Sequence, residues 1–120
     1  MSTQAFKRKL TASLIGDAIL VTETYGTGTL IHTSTSSTSY GTYDEIWLWA
    51  YNDSTADVTL TVQYGGTEAY QTFVVNIPNR CGLVPIIPGL LLQASGTINA
   101  YASEENVITI SGFVHALSDL

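Results

Sequence analysis

A chain of 120 residues fits one domain of ordinary size, able to bury a hydrophobic core without disulfide staples. Its residues are 45% hydrophobic and 12% charged, about half the usual charged share of about 25%, which excludes the apolar-poor, charge-rich signature of disorder. Lys7, Arg8 and Lys9 sit together and only Arg80 follows, so from residue 10 onward ten acids face one base, a balance of −9 that repels nucleic acid.

In chain order, residues 1–16 read as an extended N-terminal arm and 17–120 as one β-sandwich domain. Beyond the arm, short apolar runs alternate with turn residues about every ten positions, the spacing of a sandwich or barrel. Ala18–Thr24 and Thr29–Thr33 are the first runs, separated by a turn at Tyr25–Gly28. Ser34–Thr42, almost all Ser, Thr, Tyr and Gly, reads as an exposed loop.

The run Asp44–Asn52 is the most informative. A strand here points Ile46, Leu48 and Ala50 to one face and Trp47, Trp49 and Tyr51 to the other. Both faces are apolar, more than a half-exposed strand needs. Asp57–Tyr64 alternates cleanly, with Val58, Leu60, Val62 and Tyr64 inward and Thr59, Thr61 and Gln63 outward. Gly65-Gly66 predicts a tight hairpin, and Gln71–Ile77 follows with Phe73, Val75 and Ile77 on one face.

Pro85 and Pro88 confine Gly82–Gly89 to an edge strand or a crossover. Leu90-Leu91-Leu92 reads as a buried connection. Gly96–Ala102 and Val107–Leu117 close the series, the last with Ile108, Ile110, Val114 and Ala116 in one row and Gly112 between them. About eight strands, no helix and a proline-bearing crossing segment predict Greek-key connections. The expected architecture is therefore all-β: a single eight-stranded jelly-roll-like sandwich with an extended N-terminal arm.

Catalytic chemistry finds little to work with. His32 and His115 each lie mid-strand without a second His or Cys at ligand spacing, so each reads as a histidine hydrogen-bonded to a neighbour. Asp44-Glu45 and Glu104-Glu105 are adjacent acids whose side chains diverge rather than converge, and read as solvated charge. No nucleophile-elbow sequence and no phosphate-cradling glycine loop occur. Cys81, the lone cysteine, permits no intrachain disulfide and reads as a small buried thiol beside Arg80. The expectation is a non-enzyme with no catalytic residues, no cofactor and no metal site. The first ten residues lack the apolar stretch and cleavage site of a signal peptide, and no segment reaches the ~18–20 apolar residues of a membrane span. Folding in a reducing cytoplasm, with no membrane partner, is expected.

The aromatic set led by Trp47, Trp49 and Tyr51 carries the functional alternatives: a subunit interface, a sugar-stacking surface, or a face covered by the chain's own arm. A basic arm at Lys7, Arg8 and Lys9 suits an acidic partner.

Several segments together resemble a known class. Leu30–Thr33, Asp44–Asn52, Val58–Val62, Ile77-Pro78, Gly82–Val84, Pro88–Leu90 and Val107–Val114 are similar to small virion proteins of tailed bacteriophages, including those of cyanobacteria. The pattern looks like their jelly-roll capsid decoration, or cement, proteins and covers residues 28–117. The resemblance implies a homotrimer on the outer capsid surface, made in the bacterial host cytoplasm and clamping neighbouring copies of the major capsid protein. Trp47, Trp49, Tyr51, Lys7, Arg8 and Lys9 are the interface candidates. Other roles for the same fold are a head-fibre, neck or tail component of the virion, or a carbohydrate-binding module for host attachment.

Overall fold

The computed structural model describes residues 3–119; residues 1, 2 and 120, among them the first two positions of the segment read as an arm, lie outside it. The described residues form nine strands: β1 (Thr3–Lys9), β2 (Ile19–Leu20), β3 (Thr29–Thr33), β4 (Tyr43–Asn52), β5 (Val58–Tyr64), β6 (Thr72–Ile77), β7 (Val84–Leu92), β8 (Thr97–Ala102) and β9 (Ile108–Asp119). Two antiparallel sheets result. One runs β1-β9-β4-β7 with β2 also paired to β9, and the other runs β3-β8-β5-β6. Chain order crosses between the sheets at almost every connection, which is the jelly-roll arrangement.

The core follows from the period of two. Along β4, burial alternates at every residue, with Ile46, Leu48 and Ala50 fully buried and the odd positions half-buried. Val58, Leu60 and Val62 face them from β5, joined by Ile98 and Ala100 of β8 and Ile108, Ile110 and Val114 of β9. Each buried Leu or Ile contributes about 1.5–3 kcal/mol. Of the inward row expected on β9, Ile108, Ile110 and Val114 reach the core, while Ala116 is only half-buried near the strand's end.

The eight strands expected become nine because residues 3–9 of the segment read as an arm pair with β9, from Thr3 opposite Asp119 to Lys9 opposite Phe113. That strand is held differently from the others. Gln4 to Lys9 are all exposed, so main-chain hydrogen bonding carries it, and Leu10, 1% exposed, is the first side chain to enter the core.

Four local expectations are corrected. Only Ile19 and Leu20 of the run Ala18–Thr24 form a strand. Gly65-Gly66 does not close a tight hairpin; the chain continues through a 3-10 turn at Ala69–Gln71, and the Gln71 side chain closes the loop by accepting the Glu68 N–H at 3.2 Å. Leu90-Leu91-Leu92 is the end of an edge strand, with Leu90 and Leu91 exposed, because β7 pairs only with β4. Cys81 is exposed, carried outward by the left-handed conformations of Arg80 (φ 48) and Gly82 (φ 81) on either side.

Candidate interaction surface

The outer face of the β1-β9-β4-β7 sheet is built by register. Trp47 lies opposite Phe113, and Glu45 opposite His115. The rings of Trp47 and Phe113 stack with centroids 6.4 Å apart and planes at 15°, and Trp49 and Phe113 do so at 6.1 Å and 29°. These are offset arrangements of the kind aromatic quadrupoles favour. The Trp47 indole N–H donates to Glu45 Oε1 at 2.7 Å, and His115 Nδ1 lies 4.0 Å from the same oxygen. A small residue makes room for the indole: a Cβ on Gly89 of β7 (φ +85) would come within 2.8 Å of the Trp47 ring. Pro88 and Pro85 stand opposite Trp47 and Trp49 on β7 and keep that edge from templating a further strand there.

Of the six interface candidates, the structure brings four onto this face. Trp47, Trp49 and Tyr51 project from β4, and Lys7 of β1 places its ammonium 5.3 Å from the Phe113 ring centre, a cation–π contact. Lys9 turns aside, its ammonium donating to the Leu14 carbonyl at 2.6 Å. Arg8 points to the opposite side of β1, its guanidinium 5.8 Å from the Phe6 ring. The arm does not lie across the aromatic row; β1 extends the sheet sideways beside β9. Phe113, His115 and Leu117, the outward row of β9, complete the face. The signal for Phe113 and Leu117 was an apolar residue out of phase with the row Ile108, Ile110, Val114; His115 gave none.

At the β7 edge the face runs into a second apolar region. Tyr40, Tyr43, Leu91, Leu92 and Gln93 line an open depression of about 640 Å³. On its other side Leu90 and Phe73 adjoin Tyr64 and Tyr70. Tyr64 spans the two sheets, its hydroxyl donating to the Leu91 carbonyl. Burial pushes its pKa from 10.0 up to about 12. A raised phenol pKa means that the neutral form is favoured by the fold, so its contribution is complete below about pH 10 and is lost as pH rises towards about 12. An absorbance titration of the folded protein is expected to show a phenol ionising near pH 12 that Tyr64→Phe removes. Loss of no such late step in the variant would contradict this.

Away from this face, His32 is buried (2% exposed) between the sheets. Its Nδ1 accepts the Thr11 N–H at 3.1 Å, so the proton sits on Nε2, which donates to Asp44 Oδ2 at 2.8 Å. With both nitrogens occupied, neither is free to take a proton from a substrate. Asp44 and Glu45 diverge as expected, one inward and one outward, but Asp44 is buried (6% exposed) and hydrogen-bonded to His32, which corrects its reading as solvated charge. Among the described residues no group of three or more His, Cys, Asp or Glu is placed to hold a metal ion. No family model matches the chain, and neither a curated protein nor a solved structure matches it.

Proposed function

We propose that this chain is a structural virion protein: a jelly-roll decoration subunit that binds the outside of a phage capsid as a homotrimer and clamps neighbouring major capsid subunits. The observation that supports it most is the outer face of β4 and β9. Trp47, Trp49 and Phe113 form a half-buried aromatic row on the side of the sheet that faces away from the core. Apolar surface of this kind, rimmed by polar groups such as Glu45, His115 and Lys7, marks contact sites, and Trp is enriched where binding energy concentrates. Exposed Leu90, Leu91 and Tyr40 extend it to the sandwich edge. Many modest contacts repeated over a lattice gain strength through avidity, which suits a small subunit without chemistry of its own.

Electron cryo-microscopy of a particle that carries this chain is the test. Threefold density of this size on the outer head surface is expected; density confined to the tail or neck would overturn the proposal. A second reading rests on the same row: near-parallel rings on an open sheet, flanked by Glu45 and His115, could also stack on sugar. A monomer that binds glycans on an array, and loses them in Trp49→Ala, would favour that reading instead.

A further inference from the structure

We propose that a recess between Asp44 and β1 is a binding site for a neutral monosaccharide, separate from the aromatic row. Register builds it. Asp44 of β4, Ala116 of β9 and Phe6 of β1 stand side by side across three strands, on the core-facing side of the sheet. Neighbouring strands lie about 4.8 Å apart, so Asp44 and Phe6 are separated by about 10 Å, with only the Ala116 methyl between them. The other sheet ends at β3 and leaves this part uncovered, so that Phe6 is 45% exposed. Two adjoining hollows of about 150 and 180 Å³ result, and Arg8, Thr35 and Asp44 line both. Together they come to the lower end of the range of small-molecule sites, which begins at about 300 Å³.

A buried charge with a spare acceptor marks the site. The Asp44 side chain is 9% exposed, and its Oδ2 accepts both the His32 Nε2–H at 2.8 Å and the Thr35 N–H at 3.3 Å. Among the described residues no donor reaches Oδ1. Nor is Oδ1 sealed in, since Gln63 Oε1 is the only buried side-chain polar atom there that lacks a partner. Oδ1 therefore opens on the hollows with its lone pairs unfilled. Arg8 supplies the complementary donors: its guanidinium lies over the Phe6 ring and enters no ion pair among the described residues. The hydroxyls of Thr35 and Thr42 accept the Ser37 and Asp119 N–H groups at 3.3 and 3.2 Å, which leaves each its own proton to donate. Charge then selects the ligand. A simple cation is opposed by Arg8 and a simple anion by Asp44. A neutral ring whose hydroxyls both donate and accept satisfies the two together, with its C–H face against Phe6.

NMR titration of amide shifts in the full chain tests this, with D-glucose, D-galactose, D-mannose and N-acetyl-D-glucosamine added one at a time. At least one is expected to shift the Thr35, Asp44 and Ala116 amides with a dissociation constant of about 1–10 mM, the reach of a few net hydrogen bonds. Arg8→Ala removes an exposed side chain and is expected to weaken binding about tenfold. Asp44→Asn, which sets an N–H donor where Oδ1 accepts, is expected to weaken it at least as much. Trp49→Ala, on the other side of the sheet, is expected to leave it unchanged. The proposal is overturned if no sugar gives a saturable shift, or if binding survives Arg8→Ala. Loss of binding in Trp49→Ala also overturns it, by placing the sugar on the aromatic row. Should Asp44→Asn not fold, Arg8→Ala decides alone. The recess lies within one chain, so its failure leaves the trimer proposal standing.

Discussion

Asn52→Ala is expected to destabilise the fold by about 3–4 kcal/mol, more than most single truncations of a polar residue. Asn52 closes β4 with a side chain that is fully buried and satisfied on both ends. Its amide donates to the Ala56 carbonyl at 2.8 Å and the Ile77 carbonyl at 2.9 Å, and its carbonyl accepts the Ser54 N–H at 2.8 Å. One side chain thereby ties the end of β4 to the following turn and to the end of β6. Truncation leaves the Ile77 carbonyl and the Ser54 N–H buried without partners, and each orphan costs about 1–3 kcal/mol. Asn52→Asp separates this from packing. It conserves volume, so a packing role predicts little change, whereas a carboxylate oxygen set against two carbonyls predicts a loss at least as large as that of alanine. Urea unfolding at neutral pH measures both variants; an Asp variant as stable as the parent would contradict the hydrogen-bonding account.

Gly112→Ala is expected to be as damaging, by about 3 kcal/mol, with a Tm lower by roughly 10 °C. Gly112 pairs with Leu48 in the middle of the β4–β9 ladder. A Cβ there would lie 2.0 Å from the Trp47 carbonyl oxygen and 3.1 Å from Leu48 Cα, both main-chain atoms that cannot rotate away. Relief requires the two strands to part, and they carry Trp47, Trp49 and Phe113. The same substitution is therefore expected to disturb the aromatic row, seen as a shift in tryptophan fluorescence alongside the stability loss. An Ala variant that melts with the parent and keeps its emission would show that the strands yield at little cost.

These two positions also show what a sequence can and cannot reveal here. The two-faced character of β4 was legible because strict alternation of Ile46, Leu48 and Ala50 against Trp47, Trp49 and Tyr51 leaves one geometric solution. The edge position of β7 was legible from Pro85 and Pro88, which cannot donate to a ladder on both sides. The all-β sandwich followed from strand number and spacing, whereas the order of strands within each sheet did not. By contrast, partnerships between distant segments depend on register, which no local pattern encodes. Phe113 joins the tryptophans because β9 pairs with β4 at that offset and not at another. Arg8 and Lys7 are neighbours in sequence, yet pairing of β1 with β9 sends them to opposite faces and removes Arg8 from the aromatic surface. His32 and Asp44 meet only once the two sheets are packed, and the Thr11 N–H arrives from a third segment. The exposure of Cys81 was hidden for a different reason: it is set by positive φ angles at its neighbours, one of them a non-glycine.

The proposal that the outer face of β4 and β9 is a subunit contact makes a demand on the free protein. Trp47 and Trp49 are only half-buried within one chain, so their remaining surface is available to another copy. A cyclic trimer would cover it with a different patch of its neighbour, of which the apolar β7 edge at Leu90 and Leu91 is one. Light scattering on the purified protein, coupled to size-exclusion chromatography, measures this most directly. A mass of three chains is expected, falling to one in Trp47→Ala/Trp49→Ala with the β-sheet circular dichroism retained. A parent that runs as a monomer across the accessible concentration range, or a trimer indifferent to loss of both indoles, would contradict the account.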